Sequence, residues 1–497
     1  MIAVRYFLIV FSVIFAVSSA NAQPILPSTP IGKVAAEFVD ILNTGNGERL
    51  AGFIRSRYSE KALAETPAEE RVKFFQKLYK QSGGITPRIL SPDSNARFLV
   101  VDVKSLKGDH WARMFLGFSG EQADRLFDIG IFGVPDPERS KKDPWPQTSL
   151  TEAGALKEIE RHAGQLEKDD IFSGVVLIAK GEKVLFQKAY GFAEKSHSVR
   201  NNVATKFNIA SMNKMFTAVA IGQLVEAGKL SFDATIADVL PEYPNKETAS
   251  KIKIRHLLTH SSGLGDFFDN PDFRPFRQKY VNPKDYFPLF ASQPLRFEPG
   301  ERFSYSNAGF VVLGAVIEKV SGISYFDYVR EKIYKPAGMF DTDSYELTQV
   351  VPNLAVGYAR FEDDPMGIDP RRSNIAFLPW KGSPAGGGYS TAPDLLKFAI
   401  TLRNNKLLSA NMRDTLITQK LPMIGSYRPG GYGYGFLQME HAGKSTYGHG
   451  GGGANSGIAS VMEIFADGGY VVVVLGNYDP PAADDLCYEI SNLLARI

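Results

Sequence analysis

The chain has 497 residues, 44% of them hydrophobic and 22% charged, enough to bury a large core and divide into two or more domains. Its 56 basic and 54 acidic side chains give a net charge of +2 in mixed order, without the basic stripe that a phosphate backbone requires, so no nucleic-acid partner is expected. Cys487 is the only cysteine, which excludes an intrachain disulfide and a multi-cysteine metal site; it lies in an amphipathic helical pattern and reads as filler.

The first residues carry Arg5, an apolar run over residues 6–17, and then Ala20 and Ala22 in an A-x-A arrangement. This predicts a secretory signal over residues 1–22, cut before Gln23, and export to the periplasm or beyond. The run falls short of the ~20 residues that span a bilayer, so no transmembrane anchor is expected after processing.

Residues 23–133 read as a small α+β domain. Ala35, Phe38, Val39, Ile41 and Leu42 have helical spacing, as do Val72, Phe74, Phe75, Leu78 and Tyr79, and strand-like runs follow over residues 98–103, 111–118 and 126–132. With Asn43-Thr44-Gly45 and the Gly83-Gly84 turn, the layout resembles the cone-shaped nuclear-transport-factor-like domains. That resemblance implies a concave sheet of the kind used to bind a ligand or protein partner. Residues 134–148 carry four prolines and mixed charges and read as a linker.

Residues 149–497 form the larger domain. Residues 175–179 and 184–190 predict a hairpin across Lys180-Gly181-Glu182, and residues 457–465 and 470–475 a second across Asp467-Gly468-Gly469, before a C-terminal helix. Both ends of the domain thus contribute to one antiparallel sheet, with helices between.

Ser211-Met212-Asn213-Lys214 opens a helical run ending at Gly228. Residues i and i+3 share a helix face, so the Lys214 amine lies beside the Ser211 hydroxyl and can take its proton if burial depresses the amine's pKa. Ser at a helix start is also a good N-cap. The motif alone is weak, since about two matches are expected by chance in a chain this long. Ser250-Lys251-Ile252-Lys253 also matches, in a polar stretch.

Context separates them. Phe207-Asn208-Ile209-Ala210-Ser211-Met212-Asn213-Lys214 resembles the nucleophile segment of class C β-lactamases and related DD-peptidases and esterases. Leu257-Leu258-Thr259-His260-Ser261-Ser262-Gly263-Leu264 is similar to that family's L-L-x-H-x-S-G-L segment, and Tyr305-Ser306-Asn307 to its Y-x-N motif. Ala385-Gly386-Gly387-Gly388-Tyr389-Ser390-Thr391 resembles another shared segment, and His449-Gly450-Gly451 its H-x-G form of the third motif. Other Y-x-N strings (Tyr243, Tyr280) and H-x-G strings (His162, His441) lack the surrounding context.

The resemblance implies a penicillin-binding-protein-like fold, an antiparallel sheet flanked by helices with a helical subdomain, in a multidomain α+β and α/β chain. It implies a serine hydrolase that forms an acyl-enzyme without cofactor or metal, and catalytic roles for Ser211, Lys214, Tyr305, Asn307 and His449. The backbone amides of Ser211 and Gly452 would form the oxyanion hole, with Gly450 and Gly451 lying along the substrate. A phenol near an ammonium ionises more easily, so Tyr305 and Lys214 both stand as candidates for the acylation base. His260 reads as support for the fold.

The third motif departs from K-T-G, because Gly450 and Gly452 lack side chains and His449 is mostly neutral at pH 7. A small-molecule or peptide acyl donor, ester or amide, without a terminal carboxylate therefore fits better than a D-Ala-D-Ala terminus or a β-lactam. The alternatives are a DD-peptidase or β-lactamase, and a secreted binding or regulatory protein with weak turnover. No G-x-S-x-G elbow and no H-E-x-x-H spacing supports an α/β-hydrolase or a metallohydrolase.

Overall fold

The computed structural model describes residues 26–497 except 92–93, 95–97, 119–124, 135, 139–142, 361–363, 424–429 and 454. The signal read over residues 1–22 lies outside them. Among the described residues, no single helix is long and apolar enough to cross a membrane. The chain divides into two compact units that meet between Ile131 and Phe132.

In the first unit, four helices precede four strands. Pro30–Asn43 and Ala68–Ser82 arise from the helical spacing noted above, and Gly47–Arg57 and Glu60–Glu65 are added between them. The strands Ile85–Leu90, Phe98–Ser105, Trp111–Phe118 and Leu126–Val134 lie in chain order in one sheet. Phe38 sits edge-on to Phe75 and close to Phe53, which pins three of the helices to one core. The helix Gly47–Arg57 escapes a periodicity search because Glu48, Arg49, Arg55 and Arg57 leave it only Leu50, Phe53 and Ile54 to bury.

The second unit is organised by an eight-stranded antiparallel sheet. Its spatial order is Leu421–Pro422, Gly431–Tyr432, Leu437–His441, Lys444–Gly452, Ala459–Phe465, Tyr470–Gly476, Gly174–Lys180 and Lys183–Tyr190. Tyr470–Gly476 pairs with Gly174–Lys180 along its full length, from Tyr470 opposite Lys180 to Gly476 opposite Gly174. Side chains alternate across a strand, and here both faces are covered. Val472 and Val474 pack with Val176, Ile178 and the helices Glu152–Lys168 and Ala482–Ala495, where Cys487 is buried. Val471 and Val473 pack with Val175, Leu177 and the helices of the central insertion. A strand buried on both faces reads as a continuous apolar run, which is why residues 471–475 show no alternation.

The segment read as a linker is docked on this unit from Asp143 onward. Asp143 pairs with Arg161, Trp145 stacks on His162 with ring centroids 4.0 Å apart, and Arg496 donates to the Pro146 carbonyl. Proline removes backbone donors, so the segment is held by its side chains and carbonyls.

Two helices of the insertion carry candidate site residues, Lys214 and Asn307. Asn213–Glu226 is buried on nearly every side, the signature of a core helix, and Asn307–Ser321 packs against it. At Gly314 of the second helix an added Cβ would lie 2.2 Å from Pro384 Cγ and 3.0 Å from Pro283 Cγ. Proline rings cannot swing aside, so Gly314→Ala is expected to lower stability by about 1 to 3 kcal/mol through overpacking. A fall in the urea midpoint of the second unit's unfolding transition checks this.

Candidate active site

Ser211 stands at an elbow between the strand Phe207–Ala210 and the helix Asn213–Glu226. Ala210 holds φ at +40°, a conformation unfavourable for a residue with a Cβ, and the turn aims the next side chain outward. The elbow is clamped on both sides: the Gly387 amide donates to the Ala210 carbonyl at 3.1 Å, and Ser460 Oγ to the Asn208 carbonyl at 3.0 Å. Ser211 is not the helix cap. Met212 occupies that position without a capping side chain, and the Ser211 hydroxyl meets Lys214 instead.

Lys214 is fully buried. Its Nζ lies 3.0 Å from Ser211 Oγ and 2.8 Å from Asn307 Oδ1, and donates to the Ala385 carbonyl. An ammonium has three donors, and all three are used. The Ala385 carbonyl is delivered by a segment pinned along the helix Asn213–Glu226, with Asn213 Nδ2 donating to the Ser383 carbonyl and Thr217 Oγ1 to that of Pro384. Burial brings the amine down to about 7, with the charge of Asp266 acting in the opposite direction.

Tyr305 places its ring 4.8 Å from Lys214 Nζ and its hydroxyl in hydrogen-bond contact with the Ser211 side chain. The residue keeps 40% of its surface open to solvent. Protein packed around its hydroxyl nevertheless raises the phenol's pKa, and the bond to Ser211 only partly offsets this. The expectation that the Lys214 charge eases ionisation of Tyr305 is not met: burial dominates, and the Asp266 charge adds to the rise.

Asn307 begins its helix under the Ser306 cap, whose Oγ accepts from the Gly309 amide. While its Oδ1 faces Lys214, its Nδ2 and backbone N–H both donate to Asp266 Oδ2 at 2.8 Å. Asp266 escaped the sequence reading. The signal that points to it is physical: a buried lysine calls for a nearby carboxylate, and Asp266 follows Ser262-Gly263-Leu264 by two residues.

The third motif lies on Lys444–Gly452. His449 is only 3% exposed, and both of its ring nitrogens are engaged. The Ser306 amide donates to His260 Nδ1 at 3.1 Å, so neutral His260 carries its proton on Nε2 and donates to the Tyr432 hydroxyl at 3.0 Å. Tyr432 then donates to His449 Nε2 at 3.0 Å, and His449 Nδ1 donates to the Gly450 carbonyl. This assignment is the one in which every link has one donor and one acceptor. Burial and then the Lys214 charge lower His449 to about 3, and the same two effects hold His260 well below its usual range. The His449 side chain thus faces into the protein, and Tyr432 joins the site through this chain without having been legible in sequence.

The glycines differ among themselves. A Cβ on Gly451 would lie 2.3 Å from the Ile209 carbonyl oxygen and 2.8 Å from the Ser211 nitrogen, so the bare backbone at this position lets the strand pack against the Ser211 segment. Gly452 has φ of +140° and a Cβ there would meet the Ile458 carbonyl oxygen at 2.0 Å. Gly450 has ordinary room.

The strings that match the motifs out of context have local structural roles. Asn245 caps Lys246–Lys251, Asn282 forms a capping box with Asp285, and His441-Ala442-Gly443 makes the turn of a hairpin. Ser250 Oγ donates to the Glu247 carbonyl, and Lys253 pairs with Asp233 on the surface. No group of three or more His, Cys, Asp or Glu able to hold a metal occurs among the described residues.

Comparison with known proteins places this geometry in a family. The chain is 27% identical over 342 residues to PbpX of Bacillus subtilis, covering 67% of this chain and 78% of that one. The crystal structure of a penicillin-binding protein from Bacillus halodurans is 34% identical, covers 65% of this chain and 96% of its own, and superposes with a TM-score of 0.57. A D-amino acid amidase from Ochrobactrum anthropi, at 23% identity, 69% and 96% coverage and a TM-score of 0.54, shares the fold. A family model described as Beta-lactamase matches residues 157–493, more than half of the chain, and the chain belongs to that family.

Proposed function

We propose that this β-lactamase-fold hydrolase is exported and acylates Ser211 with ester or amide donors, Lys214 acting as the base. The observation that carries the reading is the fully buried Lys214 amine, 3.0 Å from Ser211 Oγ and titrating near 7. A base poised near the working pH combines a large neutral fraction with useful basicity. Tyr305, with its phenol raised, is protonated and serves as a donor and acceptor between Ser211 and the leaving group.

In acylation the Ser211 oxygen bonds to the acyl carbon and its proton passes to Lys214 Nζ. Collapse breaks the bond to the leaving group, which takes a proton relayed through Tyr305. Water then attacks the acyl-enzyme with the proton flow reversed, restoring Ser211. The amides of Ser211 and Gly452 are the donors that fit the oxyanion, and the neutral chain from His260 to His449 supports the strand that carries Gly452. His449 is then a positioning residue, since both ring nitrogens are occupied within the protein.

Donors without a terminal carboxylate fit this site. His449 has no free proton to offer and Gly450 supplies only backbone, so a carboxylate left unpaired beside the third motif costs at least ~1 to 3 kcal/mol. The alternative is a DD-peptidase or β-lactamase, a reading favoured by the similarity to a penicillin-binding protein of Bacillus halodurans.

Three outcomes are expected. Ser211→Ala abolishes labelling by a fluorophosphonate probe while circular dichroism stays unchanged, and Ser250→Ala with Lys253→Ala leaves it near wild type; persistent labelling without Ser211 rejects the nucleophile, and no labelling of the wild-type chain favours a binding protein. Short esters exceed their carboxylate-bearing analogues by about tenfold or more in kcat/KM, at 1.36 kcal/mol per decade. A reversed ratio argues for the peptidase or β-lactamase. Gly451→Ala lowers the labelling rate by tenfold or more on the order of a one-ångström misplacement, whereas Gly450→Ala leaves the fold and the labelling within about threefold of wild type, given ordinary contact distances.

A further inference from the structure

Asp266 opens the short turn Phe267–Asp269, and its Oδ1 accepts from the Phe268 amide at 3.1 Å. A capping aspartate needs nothing beyond that contact. Its other oxygen accepts two further donors, the backbone N–H and the Nδ2 of Asn307, both at 2.8 Å. An asparagine amide has one accepting end and one donating end. A carboxylate that takes Nδ2 leaves Oδ1 as the only end that can face Lys214, and Nζ lies 2.8 Å from it. Turning the amide over would set its NH₂ against the ammonium and its oxygen against the carboxylate, two repulsive contacts for two attractive ones.

We infer that Asp266 is a positioning residue for acyl transfer: through Asn307 it fixes an acceptor on Lys214 Nζ, and its negative charge holds the proton of that amine. The inference rests on the reading of Lys214 as the base toward Ser211. Lys214 faces the Ser211 hydroxyl, the Asn307 amide, the Ala385 carbonyl and the rings of Tyr305 and Phe310. His260 and His449 also lie within electrostatic reach and are neutral. Asp266 is the charged group that acts back on the amine against burial. It is itself raised by burial, and the donors from Asn307 and Phe268, with the Lys214 charge, oppose that. With this counter-charge the resting amine keeps a proton on roughly half the molecules near neutral pH; without it the amine is neutral in more acidic solution and a weaker base.

The test titrates Lys214 directly in the full chain, by NMR of ¹³C-labelled lysine with the signal assigned by its loss in Lys214→Arg, alongside the pH dependence of fluorophosphonate labelling. In the wild type both curves are expected to share a midpoint near 7, labelling rising as Lys214 loses its proton. Asp266→Asn is expected to move both midpoints down by about one pH unit, the size of shift an opposite charge at this range produces, and to lower the plateau rate about tenfold as the Asn307 amide loses its anchor. Asp266→Glu keeps the charge and is expected to hold the Lys214 midpoint close to wild type. An unmoved Lys214 midpoint in a folded Asp266→Asn chain overturns the inference, as does a Glu variant that behaves like the Asn variant. A wild-type labelling curve that fails to follow the Lys214 titration instead rejects Lys214 as the base, and the effect of Asp266 on the amine is then judged by the NMR midpoints alone.

Discussion

Everything at this site depends on keeping an amine in a place without water. Burying an isolated ammonium costs far more than a domain's net stability, and the chain meets that cost by lowering the group's pKa and surrounding it with acceptors. Ser211, Asn307 and Ala385 supply those acceptors from three separate segments. The Ser211 hydroxyl is thus one of the groups that solvate the amine proposed as its base. That coupling explains why the segments around residues 211, 307 and 385 are locked to one another by Asn213, Thr217 and Asp266.

The second constraint is the close approach of the third-motif strand to the elbow at Ser211. Gly451 has no room for a side chain, and the strained Ala210 sits opposite it. Contact at that distance leaves little freedom for the Gly452 amide to drift. The same strand is tied across the site by Tyr432 and His260 to the Ser306 amide, at the start of the helix that presents Asn307. Backbone packing fixes one side of the strand and a neutral hydrogen-bond chain fixes the other.

The two terminal hairpins, their shared sheet and the intervening helices were legible because β-branched runs at residues 174–190 and 459–476 and the turns between them are local signals. So were Ser211, Lys214, Tyr305 and Asn307, which carry motifs whose order along the chain matches a known family. The hairpin from Leu437 to Gly452 was hidden because its glycine-rich half has almost no propensity to report. Asp266 and Tyr432 were hidden for a different reason: each acts through one hydrogen bond to a residue distant in sequence, and no period or spacing encodes such a contact. The inward orientation of His449 was invisible too, since neither ring nitrogen's partner is named by the H-x-G string.

Lys180 and Tyr470 touch although 290 residues separate them. The strand that joins the first hairpin to the rest of the sheet is therefore made long after the partner it pairs with. Until it arrives, Gly174–Lys180 presents an open edge and the apolar faces on both sides of the sheet lack their centre. Loop closure over such a span is slow compared with local pairing. The unit cannot complete its fold piecemeal as it emerges, and the clock for folding starts only when Tyr470–Gly476 has been made.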